Sequence, residues 1–262
     1  MLRSLNLMTI LLLCSCSVRE NRDVCPCALS VRAAESLKTD GDVLVTVVQD
    51  GVVAAEWSFS RERFDAGLCV LNVPRRQSVV TVFSGITGMR KDGGRQLEIG
   101  LERDCDEIYS CSCRTSPSSD SLECIVTPHK NYANLNLEMS GMPEGADICI
   151  VGGVQGYDLI TMEPLQGPFR CIPEAAGGEP GAGTIAYRLR LPRQLDDSLC
   201  LNVTVGDSLF RSVSLGRVIA DSGYSFDEPD LPDISVYIDL SKLSLYLEVA
   251  GWEVISYSLL DY

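Results

Sequence analysis

Four residues near the start of the chain, Leu13-Cys14-Ser15-Cys16, have the types and spacing for the transfer of lipid to a thiol. That chemistry needs an apolar residue three positions before the cysteine, a small residue immediately before it, and the thiol itself. Leu13, Ser15 and Cys16 supply all three. Cys14 fits less well, because bulky Leu13 would precede the cut. Arg3 provides a positive flank, and Leu5 to Leu13 is an apolar run far short of the about 20 residues that span a bilayer core. Residues 1–15 therefore read as a lipoprotein signal, with Cys16 as the first residue of the mature chain and its lipidated residue. The alternative is an ordinary secretory signal cut nearby, with both thiols incidental. Each buried CH₂ of an acyl chain contributes about 0.8 kcal/mol, and stable anchoring takes more than one chain. A multiply acylated Cys16 would hold the protein on a membrane without a transmembrane helix.

Other candidate chemistry is sparse. A Ser-His-Asp or Cys-His arrangement would have to use His129, the one histidine of the chain. No Gly-x-Ser-x-Gly or His-Glu-x-x-His is present, and His129 reads as a surface or linker residue. Cys105, Cys111, Cys113 and Cys124 cluster, and Cys25 and Cys27 form Cys-x-Cys. Neither group repeats the paired Cys-x₂₋₄-Cys spacing of a zinc site, so disulfides or free buried thiols are expected rather than a metal. The glycines of 152–156 and 177–183 lack the Gly-Lys-[Ser/Thr] and the following helix that a phosphate loop needs. The acidic turn Asp227-Glu228-Pro229-Asp230-Leu231-Pro232-Asp233 could offer carboxylates to calcium, but two prolines interrupt the spacing and a solvated turn is the plainer reading. Nothing places a glycosidase-type carboxylate pair in one cleft. The expectation is a protein that is not an enzyme and uses no cofactor.

The elements that would position these residues are strands. Val43-Val45-Val47 and Val53 to Phe59 alternate with period two on either side of Asp50-Gly51, a strong hairpin signal. Further runs cover Cys69 to Val73, Val79 to Phe83 and Leu97 to Leu101. Ala28 to Lys38 reads as a short strand and then a helical turn through Ala33 to Lys38. Asp104 to Cys124, rich in Ser and Cys, shows little alternation and reads as a break, with a boundary near Thr127-Pro128. A second β series follows: Leu135 to Met139, Ile148-Ile150, Ile185 to Leu191, Leu199 to Val205, Leu209 to Leu215, Ile234 to Leu240, Leu243 to Val249 and Trp252 to Leu260. Gly216 to Ser222 reads as one helical turn. Short strands at spacings of about 8–12 residues point to an all-β protein of two tandem sandwiches, residues 16–127 and 128–262.

The chain has 262 residues and a net charge of -14, with 45% hydrophobic and 22% charged residues. That is ordinary globular composition. The acidity excludes nucleic acid, whose phosphates need basic surface, and electrostatic docking to anionic lipid. Ten of the twelve cysteines follow Cys16; in an oxidising compartment some would pair, with a connectivity that sequence leaves open.

The lipidation signal, the polar tether Ser17 to Asp23 and Cys25-Pro26-Cys27 together resemble the start of the FimB-type fimbrial subunits, anchor lipoproteins of the type V pili of Bacteroidales. Gly153 to Asp158 with Glu163 to Phe169, Leu191-Pro192-Arg193-Gln194, Leu215-Gly216 to Gly223-Tyr224, Pro229 to Ile234 and Gly251-Trp252-Glu253 look like later segments of that family, in order. The resemblance implies two transthyretin-like β-sandwich domains and a place in the outer membrane at the base of a pilus, tethering the fibre and limiting its length. It implies other pilus subunits, stalk or accessory fimbrillins, as partners, joined by donor-strand exchange. Trp252 to Leu260 would suit a donor strand, or would pair within its own domain. Stalk subunits of such pili lose their first strand to an arginine-specific protease, and Arg61, Arg63, Arg75 and Arg76 lie in the first half. Cys105 to Cys124 maps onto no feature of the family. The alternative function is a surface lipoprotein adhesin that binds glycan or host protein. Exposed aromatics would favour it, but Trp57 and Trp252, the only tryptophans, sit in apolar strands and read as core.

Overall fold

The computed structural model describes residues 22–92, 95–177 and 183–249 and the backbone of 252–258. The protein is all-β, and its strands form four sheets. The first sheet has three strands in the order β4 (Val70–Pro74), β1 (Pro26–Ala33), β9 (Ser121–Val126), with β1 and β9 parallel. The second has five: β10 (His129–Lys130), β8 (Tyr109–Thr115), β5 (Ser78–Ile86), β2 (Asp42–Gln49), β3 (Val52–Ser60). Alternate valines explain the stacking. Val43, Val45 and Val47 of β2 and Val80 and Val82 of β5 turn to one face and bury against Leu29, Val31, Leu71 and Val73 of the first sheet. The β2–β3 hairpin turns on Asp50 (φ 51°) and Gly51 (φ 75°), the pair of positive φ values that a type I′ turn requires. A single helical turn, α1 (Arg61–Asp65), inserts buried Phe64 into this core.

The other two sheets follow the same rule. One runs β14 (Ala175–Gly177), β15 (Thr184–Pro192), β11 (Tyr132–Ser140), β18 (Ile234–Asp239), β19 (Ser244–Val249), β20 (Trp252–Ser258). The second runs β17 (Ser208–Val213), β16 (Cys200–Val205), β12 (Ala146–Asp158), β7 (Gln96–Glu98), β6 (Arg90–Asp92), with β13 (Pro164–Cys171) also on β12. Leu135, Leu137 and Met139 of β11 meet Ile148 and Ile150 of β12 and Leu201 and Val203 of β16 in the largest core. The short helix α2 (Leu215–Asp221) closes one end with Leu215, Val218 and Ile219.

Two expectations fail locally, and strand pairing crosses the expected boundary. Ala34 to Lys38 make bends, not a helical turn. The Ser- and Cys-rich segment holds two strands, β8 and the first part of β9, because small side chains pack on both faces without an obvious apolar period. The break near Thr127-Pro128 is bridged. β7, which precedes it in the chain together with its partner β6, pairs with β12 beyond it, and β10, just after it, pairs back onto β8. A third cluster fills this joint: Phe83, Met89, Leu97, Cys105, Ile108, Tyr132, Tyr157 and Leu159. Among the described residues no helix is long and apolar enough to cross a membrane.

Candidate functional site

Cys16 lies outside the described residues. The described residues begin at Arg22, and Cys25 and Cys27 follow at once, Cys27 fully buried on β1. The chain therefore reaches the first sheet within a few residues of the tether, at the tip that also holds Asp50 and Arg76, paired at 3.0 Å, and Arg75, which hydrogen-bonds Pro26 O and pairs with Asp120. Of the four candidate protease sites, Arg61 and Arg63 stand in α1, and Arg61 holds Asp40 at 2.6 Å. Arg75 and Arg76 form the β4–β5 turn.

The geometry that offers recognition is an open edge of the first sandwich. β3 ends the five-stranded sheet and β4 ends the three-stranded one. They lie against each other on the same flank, and neither has a second partner strand among the described residues. Trp57 sits across from Val45 in register and so shares its face. Val45 is fully buried, whereas Trp57 is 59% exposed. The smaller sheet covers β2 and the Phe59 end of β3 but leaves Trp57 uncovered. The reading of Trp57 as core is thus corrected: its face is the inner one, but the facing sheet does not cover it. Leu68 and Val70 are also exposed beside this edge. Unpaired N–H and C=O groups next to uncovered apolar side chains are what an added strand requires.

The final run is an edge strand too. β20 pairs antiparallel with β19 from Val249↔Trp252 to Ser244↔Ser258. Its backbone therefore lies within its own sheet here, while Leu259 and Leu260 fall outside the described residues, as does the side chain of Trp252. Another edge strand is β17, where Leu209 and Phe210 face solvent.

His129 lies in a cleft of about 600 Å³ between the two sandwiches, lined also by Ser110, Asn131, Arg193, Asp227 and Glu228. Its Nδ1 is 3.1 Å from Asp230 Oδ2. Arg193 holds the acidic turn from below, donating to the carbonyls of Phe226, Glu228 and Pro229 and to Asn131 Oδ1 at 2.6 Å. The turn's carboxylates are used as latches. Asp230 accepts from Lys130 N, and Asp233 pairs with Lys130 Nζ and accepts from Asn134 N and Nδ2. Burial pushes both carboxyls upward, but these donors outweigh it and hold them below the ordinary carboxylate range. Arg193 and Asn131 are residues that motif reasoning missed. Only the Leu191-Pro192-Arg193-Gln194 segment hinted at the first. The described cysteines are all free thiols. Burial pushes Cys69, Cys111, Cys124 and Cys171 up to about 12, so none of these four is a thiolate at neutral pH.

No protein-family model matches the chain, and no curated protein matches it. Solved structures do. The fimbrial anchor protein Mfa2 from Porphyromonas gingivalis superposes with a TM-score of 0.66 at 10% identity, over 89% of this chain and 100% of that one. A candidate polysaccharide-binding protein from Bacteroides thetaiotaomicron gives 0.64 at 12% identity, over 88% and 98%. A candidate adhesin from Bacteroides ovatus gives 0.60 at 14% identity, over 92% and 97%. At these identities the shared property is the fold.

Proposed function

We propose that this protein is a structural, non-catalytic subunit of a surface pilus, held on the outer membrane by lipid on Cys16. It tethers the fibre, limits its length and joins a neighbouring subunit by strand exchange. The observation that carries the reading is the open β3–β4 edge, where Trp57 and Leu68 stand uncovered beside two unpaired strand edges. A strand donated by another subunit would pair its backbone there and cover those side chains. The whole-chain fold shared with a protein named as a fimbrial anchor supports the same role.

The test compares two strains. Cells carrying Cys16→Ala are expected to shed fibres that contain the protein, or to make longer ones. Cells carrying Trp57→Lys are expected to keep the lipoprotein but to lose its attached fibre, because a charge at the uncovered face opposes strand docking. Fibres that stay firmly bound to Cys16→Ala cells would sink the anchor role, and normal joining in Trp57→Lys would sink the assignment of this edge.

A second reading, a surface adhesin for glycan or host protein, draws on the same exposed Trp57 and on Tyr237 and Tyr246, which pair across β18 and β19 on the outer face of their sheet. Glycan-array binding that disappears with Trp57→Ala would favour it.

A further inference from the structure

Three cysteines converge in the first sandwich. Cys111 and Cys113 are two apart on β8 and so share a face. They stand across from Val82 and Val80, both fully buried, so that face is the inner one. Cys124 on β9 stands in register with buried Val31 and faces them from the opposite sheet. β8 and β9 are consecutive, joined only by residues 116–120. Cys113 packs, half-buried, against the cluster that contains Cys124, and its thiol donates to Arg114 O at 3.7 Å. Cys113 also lines the cleft of about 600 Å³ beside His129, whereas Cys124 is only 3% exposed behind it. Cys111 is engaged differently, taking a hydrogen bond from the Thr127 backbone N–H.

We propose that Cys113 and Cys124 are a disulfide site, a bond that staples the five-stranded sheet to the three-stranded one along the seam where β8 and β9 part. The step is thiol–disulfide exchange, with a soluble disulfide entering the cleft as the two-electron oxidant. The Cys113 thiolate attacks one sulfur of the oxidant, forming a mixed disulfide and expelling the first thiolate. The buried Cys124 thiol then attacks Cys113 Sγ, passing its proton to the second leaving thiolate as that group is expelled. Two electrons pass to the oxidant, and the two protons given up by the cysteines end on its two leaving thiols. Of the two cysteines of the pair, Cys113 lines the cleft, beside Cys111, and Cys124 does not, which sets the order. The bond closes a short loop and restricts the unfolded chain, so the oxidised protein melts several degrees higher than the reduced one. The proposal borrows from the exported reading only the oxidising surroundings in which the bond would persist.

The test supplies the oxidant. The full chain is purified reduced, incubated with oxidised glutathione, alkylated, and digested with trypsin without reductant. Peptide 104–114 is expected to run joined to peptide 115–130, at a mass two hydrogens below their sum, with fragmentation placing the bond on Cys113. The linked species should vanish in Cys113→Ala and persist in Cys111→Ala. Alkylated Cys113 and Cys124 in the folded, oxidised chain would overturn the proposal, as would a bond from Cys124 to Cys105 or Cys111. Fragmentation of the unsubstituted chain assigns the bond even where a variant fails to fold. Because glutathione is added in vitro, the outcome does not depend on lipidation of Cys16 or on pilus assembly.

Discussion

Asp106 belongs to no motif, yet it does more bonding than any candidate catalytic residue of the chain. Its Oδ2 accepts from the backbone N–H groups of Thr87, Gly88 and Met89 at 2.7–2.8 Å, and its Oδ1 from the Thr87 hydroxyl at 2.9 Å. Burial pushes its carboxyl upward, but those donors outweigh it and the group is held below the ordinary carboxylate range. Asp106→Ala would leave three backbone N–H groups and the Thr87 hydroxyl without this partner, and is expected to cost about 3 kcal/mol in urea denaturation at neutral pH. The pH dependence follows from the direction of the shift. A carboxyl with a depressed folded value adds stability that is present above its unfolded value near 4 and is lost as pH falls through the folded one. The gap between the unsubstituted chain and Asp106→Ala should therefore narrow below about pH 4, and a gap that stays constant down to pH 2 would refute the account. None of this was legible in the sequence, because Asp106 meets Thr87 to Met89 only after β5 and β8 have paired.

Among elements, β12 shows how a single glycine decides a joint. The Gly-rich stretch 152–156 has neither the Lys nor the helix of a phosphate loop, and it is in fact the middle of a 13-residue strand. Gly156 is the point at which β7 crosses from the first half of the chain. A Cβ there would run into the Leu97 carbonyl. Gly156→Val should push β7 and β6 off the sheet, costing about 3 kcal/mol. Hydrogen exchange at the amides of Leu97 and Ile99 should accelerate while that of β16 stays slow. Unchanged protection at those amides would show that the close approach carries no weight. The cysteine-rich segment teaches the converse. Its Ser and Cys residues are small and only mildly apolar, so β8 shows no period until Val80 and Val82 are seen packed beside Cys111 and Cys113.

For the whole molecule, the joint between the two sandwiches is itself a core. Thr81 and Phe83 alternate with Val80 and Val82 and so lie on the outer face of the five-stranded sheet. There Phe83 meets Leu97, Tyr157 and Leu159, and the Thr81 hydroxyl donates to Leu159 O at 2.8 Å. Tyr157 OH, fully buried, donates to Asn131 O at 2.5 Å and accepts from Arg193 N at 2.9 Å. The two sandwiches should therefore unfold as one cooperative unit, with a single calorimetric transition. Phe83→Ala should cost about 3–5 kcal/mol and separate the unfolding into two steps. Two transitions in the unsubstituted chain would contradict the shared core. β1 is held by β9, and β9 runs through β10 into β11, so the first sheet is tied to the second half of the chain through consecutive strands.

The sequence by itself determined what depends on neighbours along the chain. Alternating valines settle which side chains of β2 and β5 turn inward, Asp50-Gly51 settles the hairpin, and the absence of long helical periods settles the all-β class, since each rests on backbone geometry over a few residues. Cys16 was read in the same local way, from three positions, and lies outside the described residues. What only the tertiary structure decided is what covers each face. Trp57 has the right period for the core, as has Phe59 two residues on, but the opposing sheet covers Phe59 and leaves Trp57 exposed. β6 and β7 belong with β12 because a partner about 60 residues away offers a free edge and a glycine to approach. Strand count, sheet partner and the meeting of thiols from two sheets are long-range outcomes, and no local spacing encodes them.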